Sequence, residues 1–270
     1  MNSSQQTLPE ISKSRVIGAA PEGAADPASA ARAVREMFTS IAPRYDLLNH
    51  VLSFNIDRLW WRRAAGTFRG ILNRPGARVL DLCCGTGDMT FALRRASGAS
   101  SPHILGADFS YAMLQRAAQK AAGLSSGSPR HEKSAAVPEW IEADALNLPF
   151  PDSHFDLVTS AFGFRNLADY DAGLREILRV LRPGGECGIL DCNEPQGAVG
   201  AVYRIYFRHV LPRVGSLISG VRGPYAYLPA SVERFPQPEE MMARMKNAGF
   251  AESTWTSYTL GVAGLYRGKK

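Results

Sequence analysis

The residues most able to do chemistry in this chain of 270 residues are a series of acids set around a glycine turn. Asp81 lies inside the apolar run Val79-Leu-Asp-Leu82, which leads through Cys83-Cys-Gly-Thr-Gly87 to Asp88 and a helix-forming stretch at 89–95. A strand that runs into glycines and then into a helix N-terminus aims backbone N–H groups at one place and favours an anion there. Asp108 ends a second apolar run, 104–108, and Asp144 ends a third, 140–144. A single acid at a strand end serves equally well as a loop cap. Three such acids, on successive strands behind a glycine turn, are better explained as contacts to one ligand.

The turn discriminates between ligands. A dinucleotide fingerprint needs a third glycine for close helix packing, and Thr90 stands there instead. Asp88 also puts negative charge by the helix N-terminus, where a pyrophosphate would lie. S-adenosylmethionine, with a cationic centre and one small carboxylate, suits the turn better. Its carboxylate would take the N–H groups of Gly85, Thr86 and Gly87, and its ammonium would meet Asp81. Asp108 is placed for both ribose hydroxyls, Asp144 for the adenine amino group, and the Ala145 N–H for the ring.

The elements that hold these residues follow from hydrophobic periodicity. Strands are expected at 79–82, 104–108, 140–144, 155–161 and 186–191, and a closing pair at 254–260 and 262–267. Helices are expected at 31–41, 89–95, 110–122, 172–181 and 238–248. Such alternation means an α/β domain with a largely parallel sheet, because right-handed crossovers require it. Residues 1–30, rich in Ala, Ser, Pro and Gly, read as a disordered tail. Residues 31–270 read as one domain, with a helical lid at 31–70 and a helical insertion at 199–235. Residues 123–138 read as a surface loop.

Composition narrows the setting. Apolar residues make up 45% and charged residues 21%, and no run approaches the length of a membrane span. No secretion signal precedes the domain, so a cytoplasmic protein is expected. The net charge of +6 suggests an anionic neighbour. The basic, aromatic stretch 199–219 is a candidate for touching a lipid surface, or else a core-packed helix. The four cysteines, Cys83, Cys84, Cys187 and Cys192, lack paired zinc spacing and read as small buried hydrophobes, so no metal is expected.

Further motifs sit outside the cofactor turn: Tyr45-Asp-Leu-Leu-Asn49, Ser53 with Trp60, Leu148-Pro-Phe-Pro-Asp152, Phe162-Gly-Phe-Arg-Asn166, Arg179-Val-Leu-Arg-Pro-Gly-Gly185 and Tyr227-Leu-Pro229. In this order they resemble the ubiquinone/menaquinone biosynthesis C-methyltransferase family, most closely its demethylmenaquinone methyltransferases. The glycine and Pro-Gly-Gly pieces recur across class I methyltransferases, while the Tyr-Asp-x-x-Asn and Phe-Gly-Phe-Arg-Asn pieces are more specific. The resemblance implies a Rossmann-like class I S-adenosylmethionine-dependent methyltransferase fold with a closing antiparallel strand. It carries cofactor contacts over to Thr86, Asp108, Asp144 and Ala145. Ala161 stands where the family has a serine able to touch the cofactor, and Asp191 where it has a glutamate.

The implied reaction is methyl transfer to a ring carbon of a prenylated quinol, demethylmenaquinol before the benzoquinol of ubiquinone synthesis. Arg165 is expected to hold the developing phenolate. Tyr45, Asp46 and Asn49 join it as catalytic candidates, and His50, Asn166 and Tyr227 as substrate contacts. Residence at the inner face of the membrane and a homodimer accompany this expectation; a nucleic-acid partner does not. A methyltransferase for another lipophilic acceptor and a cofactor-binding scaffold stay open on the residues alone.

Overall fold

The computed structural model describes residues 18–19, 21, 23–42, 53, 55–127, 138–195, 197, 200, 203 and 223–270. Seven strands form one sheet: β1 (Arg78–Leu82), β2 (His103–Asp108), β3 (Glu139–Glu142), β4 (Phe155–Ala161), β5 (Leu181–Cys192), β6 (Glu252–Tyr258) and β7 (Ala263–Lys269). Their order is β3-β2-β1-β4-β5-β7-β6, with the pairs among β1 to β5 parallel and β7 antiparallel to both neighbours. The expected α/β class and closing antiparallel strand are therefore present. The chain order reverses between β1 and β4, and in such sheets ligands sit at the carboxyl ends of the strands there.

Helices cover both faces: α1 (Pro27–Ile41), α2 (Ile56–Thr67), α3 (Arg69–Leu72), α4 (Asp88–Ala96), α5 (Tyr111–Gly127), α6 (Tyr170–Val180), α7 (Gly223–Arg234) and α8 (Pro238–Ala248). Strand alternation divides β1 between two cores. Leu80 and Leu82 join Leu174, Ile177 and Met245 on one face, whereas Val79 joins Trp60, Leu93 and Leu265 on the other. Asp81 shares the face of Val79, and so points at α4.

Several boundaries differ from expectation. Helix α1 begins at Pro27, inside the stretch read as tail, because Asp26 caps it: Ser29 N donates to Asp26 Oδ1 at 2.8 Å and Asp26 N to Ser29 Oγ at 3.1 Å. Farther back, Ala19 N donates to Leu167 O at 2.7 Å, which ties this segment to the body of the domain. Strand β3 stops at Glu142, where its partner β2 ends at Asp108; Asp144 instead bridges to Asn147. Strand β5 starts at Leu181 and takes in the Pro-Gly-Gly turn as a bulge, its register with β4 jumping from Phe155↔Leu181 to Leu157↔Glu186. Helix α5 runs to Gly127, past the expected start of the loop. Most of the stretch 199–219 lies outside the described residues.

Candidate active site

The carboxyl ends of β1, β2 and β4 and the segment after β3 open into one cleft. Its polar wall is acidic. Asp81, Asp88, Asp108 and Asp144 line it, and among the described residues no lysine or arginine does. Phe38, Trp61, Met89, Phe109, Met113 and Phe162 supply an apolar wall.

Asp81 is wholly buried, and its register partner across β1 and β4 is Thr159. Thr159 Oγ1 donates to Asp81 Oδ1 at 2.9 Å and Thr90 Oγ1 to Oδ2 at 2.6 Å. Burial pushes the carboxyl up to about 7, against the pull of both threonines. The result is a carboxylate that is locked in place, costly to ionise, and on the wall of a cleft. A cationic ligand would relieve that cost.

Asp108 closes back on the turn. Its Oδ2 accepts from Gly85 N at 2.9 Å and its Oδ1 from Ser110 N at 2.9 Å. Burial pushes this carboxyl up to about 6. Gly87 N donates to Cys84 O at 2.9 Å. Two of the three amides expected to receive a ligand carboxylate are thus engaged within the protein, and of the two glycines Gly85 lines the cleft while Gly87 does not. Gly87 has φ of +88° and caps α4, and a Cβ there would lie 2.7 Å from the Trp140 ring. Thr86 remains on the wall, buried, with Lys120 Nζ 2.9 Å from its hydroxyl.

Lys120 also pairs with Asp88 at 3.1 Å. It offsets the negative charge that the sequence places at this helix N-terminus, so Asp88 is a weaker argument against a pyrophosphate than it looks alone. The full set of wall carboxylates is the stronger one. Asp144 is exposed, accepts from Leu146 N at 2.9 Å, and lines the cleft beside the buried Ala145. Ala161 ends β4 on the same wall.

The loop after β4 is tightly fitted. Phe162 has φ of +57°, and its ring meets Trp60 and Trp61 at centroid distances of 5.8 and 6.3 Å. A Cβ on Gly163 would lie 2.3 Å from Cys83 Cβ, so only glycine lets this loop cross the turn. Arg165, expected to face a substrate phenolate, is buried against Asp191 instead. Its Nη1 donates to Asp191 Oδ1 at 2.9 Å and to the Phe162 carbonyl, and its N–H donates to Asp191 Oδ2 at 3.0 Å. Arg165 is not part of the cleft wall; its neighbour Asn166 is. Tyr227 OH donates to Asn166 Oδ1 at 3.2 Å, and burial pushes that phenol up to about 12. Tyr45, Asp46, Asn49 and His50 lie outside the described residues.

Helix α1 roofs the cleft with Ala31 and Phe38. It is held by the Arg35–Glu142 ion pair and by Thr39 Oγ1, 3.1 Å from Ser110 Oγ. Thr159 and Lys120 were not singled out from the sequence, and Thr90 and Asp191 were noted there without the partners they hold. Thr90 had a signal, since a threonine replaced a packing glycine nine positions after an acid inside a strand. The others depend on which strands and helices become neighbours.

A family model described as the ubiE/COQ5 methyltransferase family matches residues 27–270. A demethylmenaquinone methyltransferase of Deinococcus radiodurans is 50% identical over 240 residues, covering 88% of this chain and 93% of that protein. One from Thermus thermophilus is 48% identical over 236 residues, covering 87% and 100%. Among solved structures, a SAM-dependent methyltransferase from Aquifex aeolicus superposes with a TM-score of 0.54 at 17% identity, covering 78% of this chain and 92% of that one. That likeness is one of fold.

Proposed function

The chain belongs to the ubiE/COQ5 methyltransferase family, and on that premise we propose that it methylates a ring carbon of a prenylated quinol, demethylmenaquinol first, in menaquinone biosynthesis. The observation that carries the cofactor is the set of wall carboxylates, Asp81, Asp88, Asp108 and Asp144, of which Asp88 pairs with Lys120; the set suits a ligand bearing a sulfonium and an ammonium. When bound, S-adenosylmethionine supplies an electrophilic methyl group on a cationic sulfur. Asp81 would take the ammonium, Asp108 the ribose hydroxyls, and Asp144 with Ala145 the adenine edge. Thr86 and Ala161 complete the wall around it.

Methyl transfer by displacement needs alignment, exclusion of water and an electron-rich carbon. A phenol ionises near 10, so the acceptor gains from a neighbour that favours its anion. In this reading Asn166 borders the acceptor and Tyr227 orients Asn166, while Arg165 fixes their loop through Asp191 and Phe162 O. Arg165 is then a positioning residue whose positive charge also favours a nearby phenolate. Tyr45, Asp46, Asn49 and His50 hold the quinol from the segment between α1 and α2. The acceptor's tail is insoluble in water, so the enzyme works on the cytoplasmic face of a membrane. A homodimer is part of the same proposal and is decided by sedimentation velocity.

The test is acceptor preference. Reduced demethylmenaquinone and its benzoquinol counterpart, each with the same short prenyl tail, are compared by kcat/KM. The naphthoquinol should be preferred. Methylation of neither, by protein that binds S-adenosylmethionine, would overturn the proposal.

A further inference from the structure

A second groove lies outside the cleft, between α2 and α4 and along the start of α3. Arg58 and Arg62 line it from α2, one helical turn apart; Arg69 lines it from the first residue of α3 and Arg95 from the last turn of α4. All four are exposed, and none has an ion pair with another described residue. Some other arginines of the fold are matched, Arg179, Arg182, Arg244 and Arg267 each sitting on a carboxylate within 3 Å. What sets the groove apart is that four exposed arginines without such a partner among the described residues line one surface. The groove's own carboxylate is Asp88, which Lys120 already engages. Leu59, also lining the groove, is 49% exposed.

Uncompensated guanidinium groups around an exposed leucine match one kind of surface. Arginine forks fit phosphate oxygens, and an apolar side chain among them fits an acyl boundary. A nucleic acid would draw on exposed aromatic side chains to stack bases, and the groove's aromatic residue, Trp61, is buried. We propose that this groove seats the protein on an anionic phospholipid surface, its four arginines on headgroup phosphates and Leu59 in the acyl boundary. Trp61 and Asp88 belong to both groove and cleft, so a bilayer held here lies beside the cleft mouth. The benefit to catalysis rests on the prenylated-quinol reading; the groove's binding of lipid does not.

The test uses the full-length protein and vesicles of phosphatidylcholine with and without phosphatidylglycerol. The variant R58Q/R62Q/R69Q/R95Q is compared with R116Q/R175Q/K246Q/K269Q, which removes the same charge from other surfaces. A basic residue at an anionic surface contributes roughly fivefold in partitioning, so the groove variant should lose about two orders of magnitude or more. The second variant should lose far less, and salt should weaken the wild type. A fluorophore on Leu59→Cys should shift to the blue on anionic vesicles alone, a readout that leaves the four arginines in place. Unchanged vesicle binding by the groove variant, equal losses in both variants, or loss of oligonucleotide binding in place of vesicle binding would each overturn the proposal. So would an unshifted fluorophore. Turnover of a water-soluble, tail-less quinol should be preserved in the groove variant. If the wild type turns over neither this quinol nor reduced demethylmenaquinone, the acceptor reading fails while the vesicle result still decides the groove.

Discussion

Replacing Asp191 by asparagine should destabilise this protein more than most single substitutions. Asp191 is wholly buried and accepts from Arg165 N at 3.0 Å, Arg165 Nη1 at 2.9 Å and Cys192 N at 2.9 Å. Burial raises its pKa, and the Arg165 guanidinium opposes that rise. Asparagine keeps the shape but removes the charge, and its one carbonyl oxygen cannot serve three donors. The Arg165 side chain, 7% exposed, would then be a buried cation without its counter-charge. Breaking such a pair costs about 3–5 kcal/mol. At roughly 2–4 °C per kcal/mol for a chain of this size, Tm should fall by about 6–20 °C. Thermal unfolding of the wild type, Asp191→Asn, Arg165→Met and the double variant Asp191→Leu/Arg165→Met measures it. The double variant should lose less than the sum of the single losses, because no unpaired charge remains. Strict additivity, or an Asp191→Asn cost below about 1 kcal/mol, would refute the reasoning.

Further outcomes concern Asp81 and two glycines. Asp81 ionises near 7 in the fold against 3.8 ordinarily, so the unfolded chain gives up this proton first and the cofactor-free protein should lose stability as pH rises from about 4 to 7. An ammonium favours the ionised form, so S-adenosylmethionine affinity should climb toward pH 7 by up to about tenfold per unit, and Asp81→Asn should flatten that climb in calorimetric titrations. Thr90→Val removes a donor to the same carboxylate and should move the midpoint of the climb upward, seen in the same titrations. Gly163→Ala drives a Cβ into Cys83 and should cost about 1–3 kcal/mol with a loss of cofactor affinity; Gly66→Ala, in α2 with open space around it, should be neutral or stabilising by about 0.5–1 kcal/mol in urea unfolding.

Features written in local pattern were legible without coordinates. Strand β4, helix α8 with Gly249 behind it, and the turn from Leu82 to Asp88 follow from periodicity and glycine placement. Asp81 and Asp108 could be placed on one cleft because each ends or sits in a strand, and Asp144 because it follows one by two residues; parallel strands bring their carboxyl ends together. What escaped depends on tertiary neighbours. Thr159 meets Asp81 across 78 positions, and Asp191 meets Arg165 across 26, through the pairing of β4 with β1 and β5. Arg165 is where local reading misled, since an arginine in a substrate-side motif looks free to face a ligand until its strand neighbour supplies a carboxylate. The role of α1 as a roof was visible only in part, because its capping aspartate lay in a stretch whose composition reads as tail.

The central claim is that this cleft passes a methyl group to carbon. Incubating the protein with S-adenosylmethionine carrying a trideuterated methyl group and reduced demethylmenaquinone, then locating the label by mass spectrometry and NMR, tests it directly. The label should appear on a ring carbon, with greatly reduced transfer in Asp108→Ala. Label on a quinol oxygen, or no transfer by protein that binds the cofactor, would contradict the claim.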